Sequence, residues 1–159
     1  MKGHAKVLEI LNDLLTNELT SINQYFIHSR MCDNWGYKHL AQKVREESID
    51  EMKHADKLIA RILYLDGVPN LQKLNKVNVG QTVQEQLTLD YDLERGAIKF
   101  LNDSIETVRS LGDHGSFELM VDILTSEEEH ADWLEAQLAL IDQVGLQNYL
   151  QSQIGDGAS

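Results

Sequence analysis

Apolar residues recur every three or four positions over four long stretches of the chain, and polar runs interrupt that rhythm at only a few places. The period is that of an amphipathic helix, with one face turned to a core. It predicts helices over residues 4–34, 38–65, 82–110 and 115–144, followed by a short amphipathic segment, 146–154. The breaks fall at "DNWGY" (33–37), "SLGDHG" (110–115) and Gly145; the one long interruption, "DGVPNLQKLNKVNVGQT" (66–82), holds the only proline, Pro69. Gly, Pro and Asn punctuate helices, so this distribution gives two tight hairpins joined by one long connection. Proline is otherwise absent and β-branched alternation is lacking, which makes the fold class all-α: a four-helix bundle with one long crossover and a short fifth C-terminal helix.

The apolar faces are interrupted in a regular way. The first helix runs Leu11, Leu15, Glu18, Ile22, Tyr25 and the second Leu40, Val44, Glu47, Glu51, His54, Leu58, Ile62, Leu65. The third runs Val83, Leu87, Tyr91, Glu94, Ile98, Leu101, Ile105 and the fourth Met120, Leu124, Glu127, His130, Leu134, Leu138, Ile141. Each helix thus carries acid near the middle of its core face. Glu18 and Glu51 are 33 residues apart, and so are Glu94 and Glu127. Residues equidistant from an antiparallel turn lie level, and the midpoints of the two pairs fall inside "DNWGY" and "SLGDHG". Both pairs lie roughly 24 Å from their turns at 1.5 Å per residue. Packing the hairpins together therefore gathers four carboxylates in one layer. His54 and His130, three residues beyond their Glu, join the same face.

Four buried carboxylates must be neutralised, since each ion costs several kcal/mol to desolvate. Two divalent cations balance four negative charges and leave both imidazoles neutral as nitrogen ligands. Oxygen-rich donors with one imidazole per metal suit iron or manganese better than structural zinc, which favours thiolates and more imidazole. A lone Glu-x-x-His is common on solvated helix faces; two matched copies, each preceded by Glu at equal distance and set in an apolar stripe, are not. His4, His28, His39 and His114 have no such context and read as surface or packing residues.

Composition narrows the partners. The 159 residues suit a single domain over 1–159 that needs no disulfide, and the lone Cys32 fits a reducing, cytoplasmic setting. No run of about 18 apolar residues marks a signal or membrane segment. Acids outnumber Lys plus Arg by 26 to 14, for a net charge of −12, which disfavours nucleic acid and anionic membrane as partners.

At this point the chain resembles a bacterioferritin, a haem-containing member of the ferritin-like superfamily, along essentially its whole length. "MKGHAKVLEILNDLLTNELTSINQYFIHSRM", "ESIDEMKHADKLIARIL", "GVPNLQ", "EEEHADWLE" and "GLQNYLQSQI" carry the resemblance in order. It implies a ferritin-like bundle in a homo-oligomeric shell of 24 subunits built from dimers. Each bundle would act as a ferroxidase, oxidising ferrous iron with dioxygen or peroxide and passing ferric product to a stored mineral. By motif match, Glu18 and His54 would hold one iron of the di-iron centre and Glu94 and His130 the other, with Glu51 and Glu127 bridging. Met52 lies about 100° from Glu51 around the helix, on a second apolar stripe with Ile49, Ile59 and Leu63 that suggests a subunit contact. From the residue alone an interface methionine is the natural reading. The resemblance makes it the axial ligand of a b-type haem, held by Met52 from two subunits, through which a small ferredoxin would reduce stored iron. Two departures stand out: Glu46 occupies the place of a family His that pairs with the residue at Asp50, and Leu58 stands where some members have Tyr, leaving Tyr25 and Trp133 an incomplete aromatic relay. The other enzyme classes open to these donors are a di-manganese catalase and a rubrerythrin-like peroxidase, although one Cys cannot build the rubredoxin unit of the latter.

Overall fold

A computed structural model describes residues 1–155. Its helices are α1 (Ala5–Asn34), α2 (Lys38–Tyr64), α3 (Val83–Ser110), α4 (His114–Val144) and α5 (Leu146–Ser152), within two residues of the boundaries the periodicity predicts. No strand occurs among the described residues.

Local chemistry sets the ends. The Thr82 hydroxyl accepts the Glu85 amide at the start of α3, the Asp113 carboxylate accepts the Ser116 amide at the start of α4, and His4 accepts the Lys6 amide before α1. Gly36 and Gly112 turn the chain after α1 and α3 at φ 91° and 81°, values that favour glycine. Asp66 does the same after α2 at φ 60°; its amide donates to Leu63 and that of Gly67 to Ile62, which satisfies two carbonyls left over at the helix end.

α1 packs along α2 and α3 along α4, and the two hairpins meet chiefly through α1 and α3. The crossover lies along α1 as a strap. Asn12 accepts the Asn70 amide, Thr20 that of Asn75, Gln24 that of Asn78, and His28 Nε2 that of Gly80, all at 2.8–3.1 Å. The strap therefore runs parallel to α1 and starts α3 beside the end of α1, so that α3 returns antiparallel to α1. At the opposite end of the bundle Arg61 of α2 donates to Asp113 (2.6 Å) and Ser116 (3.0 Å).

The core is divided into two. One cluster gathers Leu11, Leu15, Leu58, Ile62, Leu101, Val108, Met120 and neighbours; the other gathers Tyr25, Leu40, Val44, Leu87, Leu134, Ile141 and Tyr149. Along every long helix the acids and imidazoles of the core face fall between these clusters. The third helix differs in part from its predicted stripe: Tyr91, Ile98 and Ile105 are only half-buried, while Gln86, Asp90, Ala97 and Ser104, outside that stripe, are buried. This face of α3 lies against α1, where close helix approach takes small side chains and polar ones that find partners.

Arg61 is the main polar tie between hairpins at its end, and its partner carboxyl is held below the usual range despite burial by hydrogen bonds from Ser116 and Arg61. Arg61→Met is expected to cost about 1.5–3 kcal/mol in chemical denaturation with unchanged helix content. A loss below about 0.5 kcal/mol would show the tie to be idle.

Candidate metal centre

Glu18, Glu51, Glu94 and Glu127 come from four different helices and are at most 2% exposed. The layer expected from equal spacing is therefore present. Single donor atoms of Glu18, Glu51, His54 and Glu127 lie within 4.8 Å of one another, and the same holds for Glu51, Glu94 and His130. Glu51 belongs to both groups, while Glu127 joins only the first. His54 Nδ1 stands 3.4 Å from Glu18 Oε2, 3.8 Å from Glu51 Oε2 and 3.2 Å from Glu127 Oε1; His130 Nδ1 stands 2.8 Å from Glu94 Oε1. All six predicted residues are thus brought together, with both imidazoles turned inward by Nδ1.

The donor atoms are not used up by the protein. Glu51 Oε2, Glu94 Oε2 and both oxygens of Glu127 are buried without a hydrogen-bond partner. Glu127 Oε1 is near enough to His54 for Coulomb attraction, yet outside hydrogen-bonding geometry. Buried carboxylate oxygens without donors are costly, and two groups of convergent oxygen and nitrogen ligands are the arrangement a pair of cations satisfies.

Electrostatics point the same way. Burial, then repulsion from Glu127, raises the Glu18 carboxyl well above its usual range; burial, then Glu18, does so for Glu51; and burial, then Glu127, for Glu94. Glu127 is pushed up to about 7 by burial and by Glu51. Burial lowers the His54 pKa, but contacts with Glu127 and Glu51 outweigh it and raise the group to about 10. His130 is likewise raised, burial being overcome by Glu94. Without metal the layer therefore stores protons.

The residues around the centre hold it in shape. The Tyr25 hydroxyl donates to Glu94 Oε1, and its ring meets His130 edge-on at 5.1 Å. Trp133 stacks over His130 at 6.2 Å, with the Lys43 ammonium on its ring. Lys43 also pairs at 2.9 Å with Glu47, which reaches to 3.5 Å from His130 Nδ1. Leu58 is fully buried in the apolar cluster next to the layer. Glu46 is exposed and accepts a hydrogen bond from Gln42, and Asp50 lies 3.8 Å from Lys53; neither belongs to the two donor groups. Met52, by contrast, is 56% exposed, on a stripe of α2 that also exposes Ile49 and Leu63, while Ile59 is half-buried.

Residue pattern alone did not single out the buried polar set of Gln24, His28 and Asp90. A signal exists: Asn12, Thr16, Thr20, Gln24, His28 and Cys32 follow one another at intervals of four along α1, a polar stripe beside the apolar one. A cleft of about 430 Å3 near α5 is lined by Trp35, Tyr37, Val83 and Leu146 among others, and another of about 330 Å3 is lined at the height of the layer by Asn17, Ser21, Leu93 and Ala97.

The ferritin-like domain model matches residues 8–144, which makes the chain a ferritin-like protein. It is 47% identical to the bacterioferritin of Mycobacterium leprae over 149 residues, 94% of each chain, and 46% identical to that of Rhodobacter capsulatus over 149 residues, covering 94% of this chain and 92% of the relative. With the bacterioferritin of Brucella melitensis identity is 47% over 151 residues, 95% and 94% of the two chains. The chain belongs to the bacterioferritin family.

The stored protons give a sign to the pH dependence. Glu127 and His54 both have folded pKa values above those of the unfolded chain, so the metal-free fold binds the extra protons. The stability they contribute is complete at low pH and is lost as pH rises, through about 7 for Glu127 and about 10 for His54. Metal must displace these protons. Zinc titrated calorimetrically in buffers of different ionisation enthalpy is expected to release protons at pH 6.5 and to bind roughly tenfold more weakly per pH unit below 7 for each proton displaced. Binding without proton release would contradict the assignment.

Proposed function

We propose that this chain oxidises ferrous iron at the buried layer and stores the ferric product inside a shell of its own copies. The observation that carries the reading is the set of buried carboxylate oxygens without partners on Glu51, Glu94 and Glu127, facing two inward-turned imidazoles. Membership of the bacterioferritin family supports iron storage as the role.

In this reading ferrous iron is the substrate, taken up by Glu18 and His54 on one side and by Glu94 and His130 on the other, with Glu51 and Glu127 between. Two ferrous ions give one electron each to dioxygen, which leaves as hydrogen peroxide after taking up two protons. With peroxide as oxidant the same two electrons and two protons yield two waters. Four carboxylates favour the higher charge of the ferric product, and Tyr25 orients Glu94 by its hydroxyl.

A haem at Met52 fits the residues present: a soft thioether stands exposed on a stripe of α2 with Ile49 and Leu63, apolar surface of the kind a porphyrin covers. Met52 from each of two copies would hold the b-type haem, and Ile49 would help to exclude water from it. When bound, such a group carries single electrons, and thioether ligation sets it at a raised potential. A small ferredoxin as reductant, a shell of 24 subunits and a cytoplasmic setting complete the proposal. No described helix is long and apolar enough to cross a membrane.

Glu51→Ala and His54→Ala are each expected to lower the initial rate of ferrous oxidation at least a hundredfold, followed by stopped-flow absorbance of ferric product. Unchanged rates would exclude the layer as the reaction site. Met52→Leu should assemble like the parent but lack the haem absorption band, while light scattering should find a large shell in both. Full haem in that variant would reject Met52 as its ligand.

A further inference from the structure

The two-metal layer needs ligands from both hairpins, so the hairpins must stand in one longitudinal register. Tight turns fix the register within each hairpin; something else has to fix it between them. Apolar clusters do this poorly, because side chains of similar size slide past one another at small cost. Directional bonds between buried polar groups do it well.

Such bonds converge on Asp90 of α3, one helical turn before Glu94 and 2% exposed. Its Oδ1 accepts Gln24 Nε2 at 2.9 Å and His28 Nδ1 at 2.8 Å, both from α1. Each of those two side chains is held from behind by the strap: Gln24 Oε1 accepts the Asn78 amide at 3.1 Å and His28 Nε2 accepts the Gly80 amide at 3.0 Å. Donor and acceptor roles are therefore fixed throughout. His28 is the neutral tautomer with its proton on Nδ1, since Nε2 is occupied as an acceptor. Two parallel relays run from strap to α1 to α3 and end on one carboxylate oxygen. A slip of one residue would leave buried donors on Gln24 and His28 without an acceptor.

We infer that Asp90 is a positioning residue: by receiving Gln24 and His28 it sets the height of α3 against α1, and so delivers Glu94 to the layer that Glu18 and Glu51 occupy. The adjoining turn of the same two helices carries the Tyr25 to Glu94 bond, so an error in this register reaches a donor group directly. The inference rests on the two-metal reading of the layer.

Cobalt(II) is the probe, because its visible absorption reports coordination without turnover. The assembled parent protein is expected to bind two cobalt ions per subunit; absence of any such binding would overturn the two-metal reading itself, and this inference with it. Given binding to the parent, Asp90→Ala should weaken affinity roughly tenfold or more and alter the cobalt spectrum. Asp90→Asn, which keeps an acceptor oxygen but no charge, should restore affinity to within about threefold of the parent. Val108→Ala, in the apolar cluster about 27 Å along α3 from Asp90, should lower the melting temperature and leave affinity unchanged. Parent-like affinity in Asp90→Ala would overturn the inference. So would equal losses in the Ala and Asn variants, which would assign the effect to charge, or an equal loss in Val108→Ala, which would assign it to stability alone.

Discussion

Mutual repulsion among four carboxylates buried in one cross-section of the bundle is the constraint to which the remaining structure answers. Bringing such charges together in a dry layer is unfavourable by several kcal/mol per group, and the protein does not relieve it internally: no Arg or Lys reaches the four oxygens left without partners. Relief comes either as protons, which is why the pKa values of the acids rise, or as cations. The fold tolerates this layer because apolar clusters lie on both sides of it, each drawing residues from all four long helices. The core is split so that the site can sit in its middle.

Position in such a layer has to be controlled along the helix axes, and the structure controls it at three heights. The glycine turns at Gly36 and Gly112 level each pair of helices. Arg61 ties α2 to the start of α4 at one end, and Asp90 receives α1 on the other side of the layer. The strap is part of this control, since its amides hold the side chains that reach Asp90. What looks in the sequence like a loose connection is hydrogen-bonded along most of α1.

The sequence made the larger features legible because they are periodic. Helix boundaries follow from glycine, proline and capping residues, and the layer follows from two separations of 33 residues about the two turns. Met52 could be placed off the core face by angle alone, and it is exposed. The buried polar contacts were harder to read. Gln24, His28 and Asp90 are unremarkable one by one, and their partnership depends on how α1 meets α3, a tertiary fact no local pattern encodes. Likewise Tyr91 and Ile98 satisfy the period of α3, yet Asp90 and Ala97 lie deeper, because the neighbouring helix approaches from one residue to the side.

The split core also bears on what holds the subunit together. Apolar burial glues the bundle above and below the acidic layer, whereas at the layer itself it is protons that hold down the repulsion between carboxylates in the metal-free fold. The waist of the bundle therefore gains least from apolar burial. In the proposed reading, a cation that displaced those protons would itself supply attraction across the layer. Under that reading, cargo and mortar are the same substance.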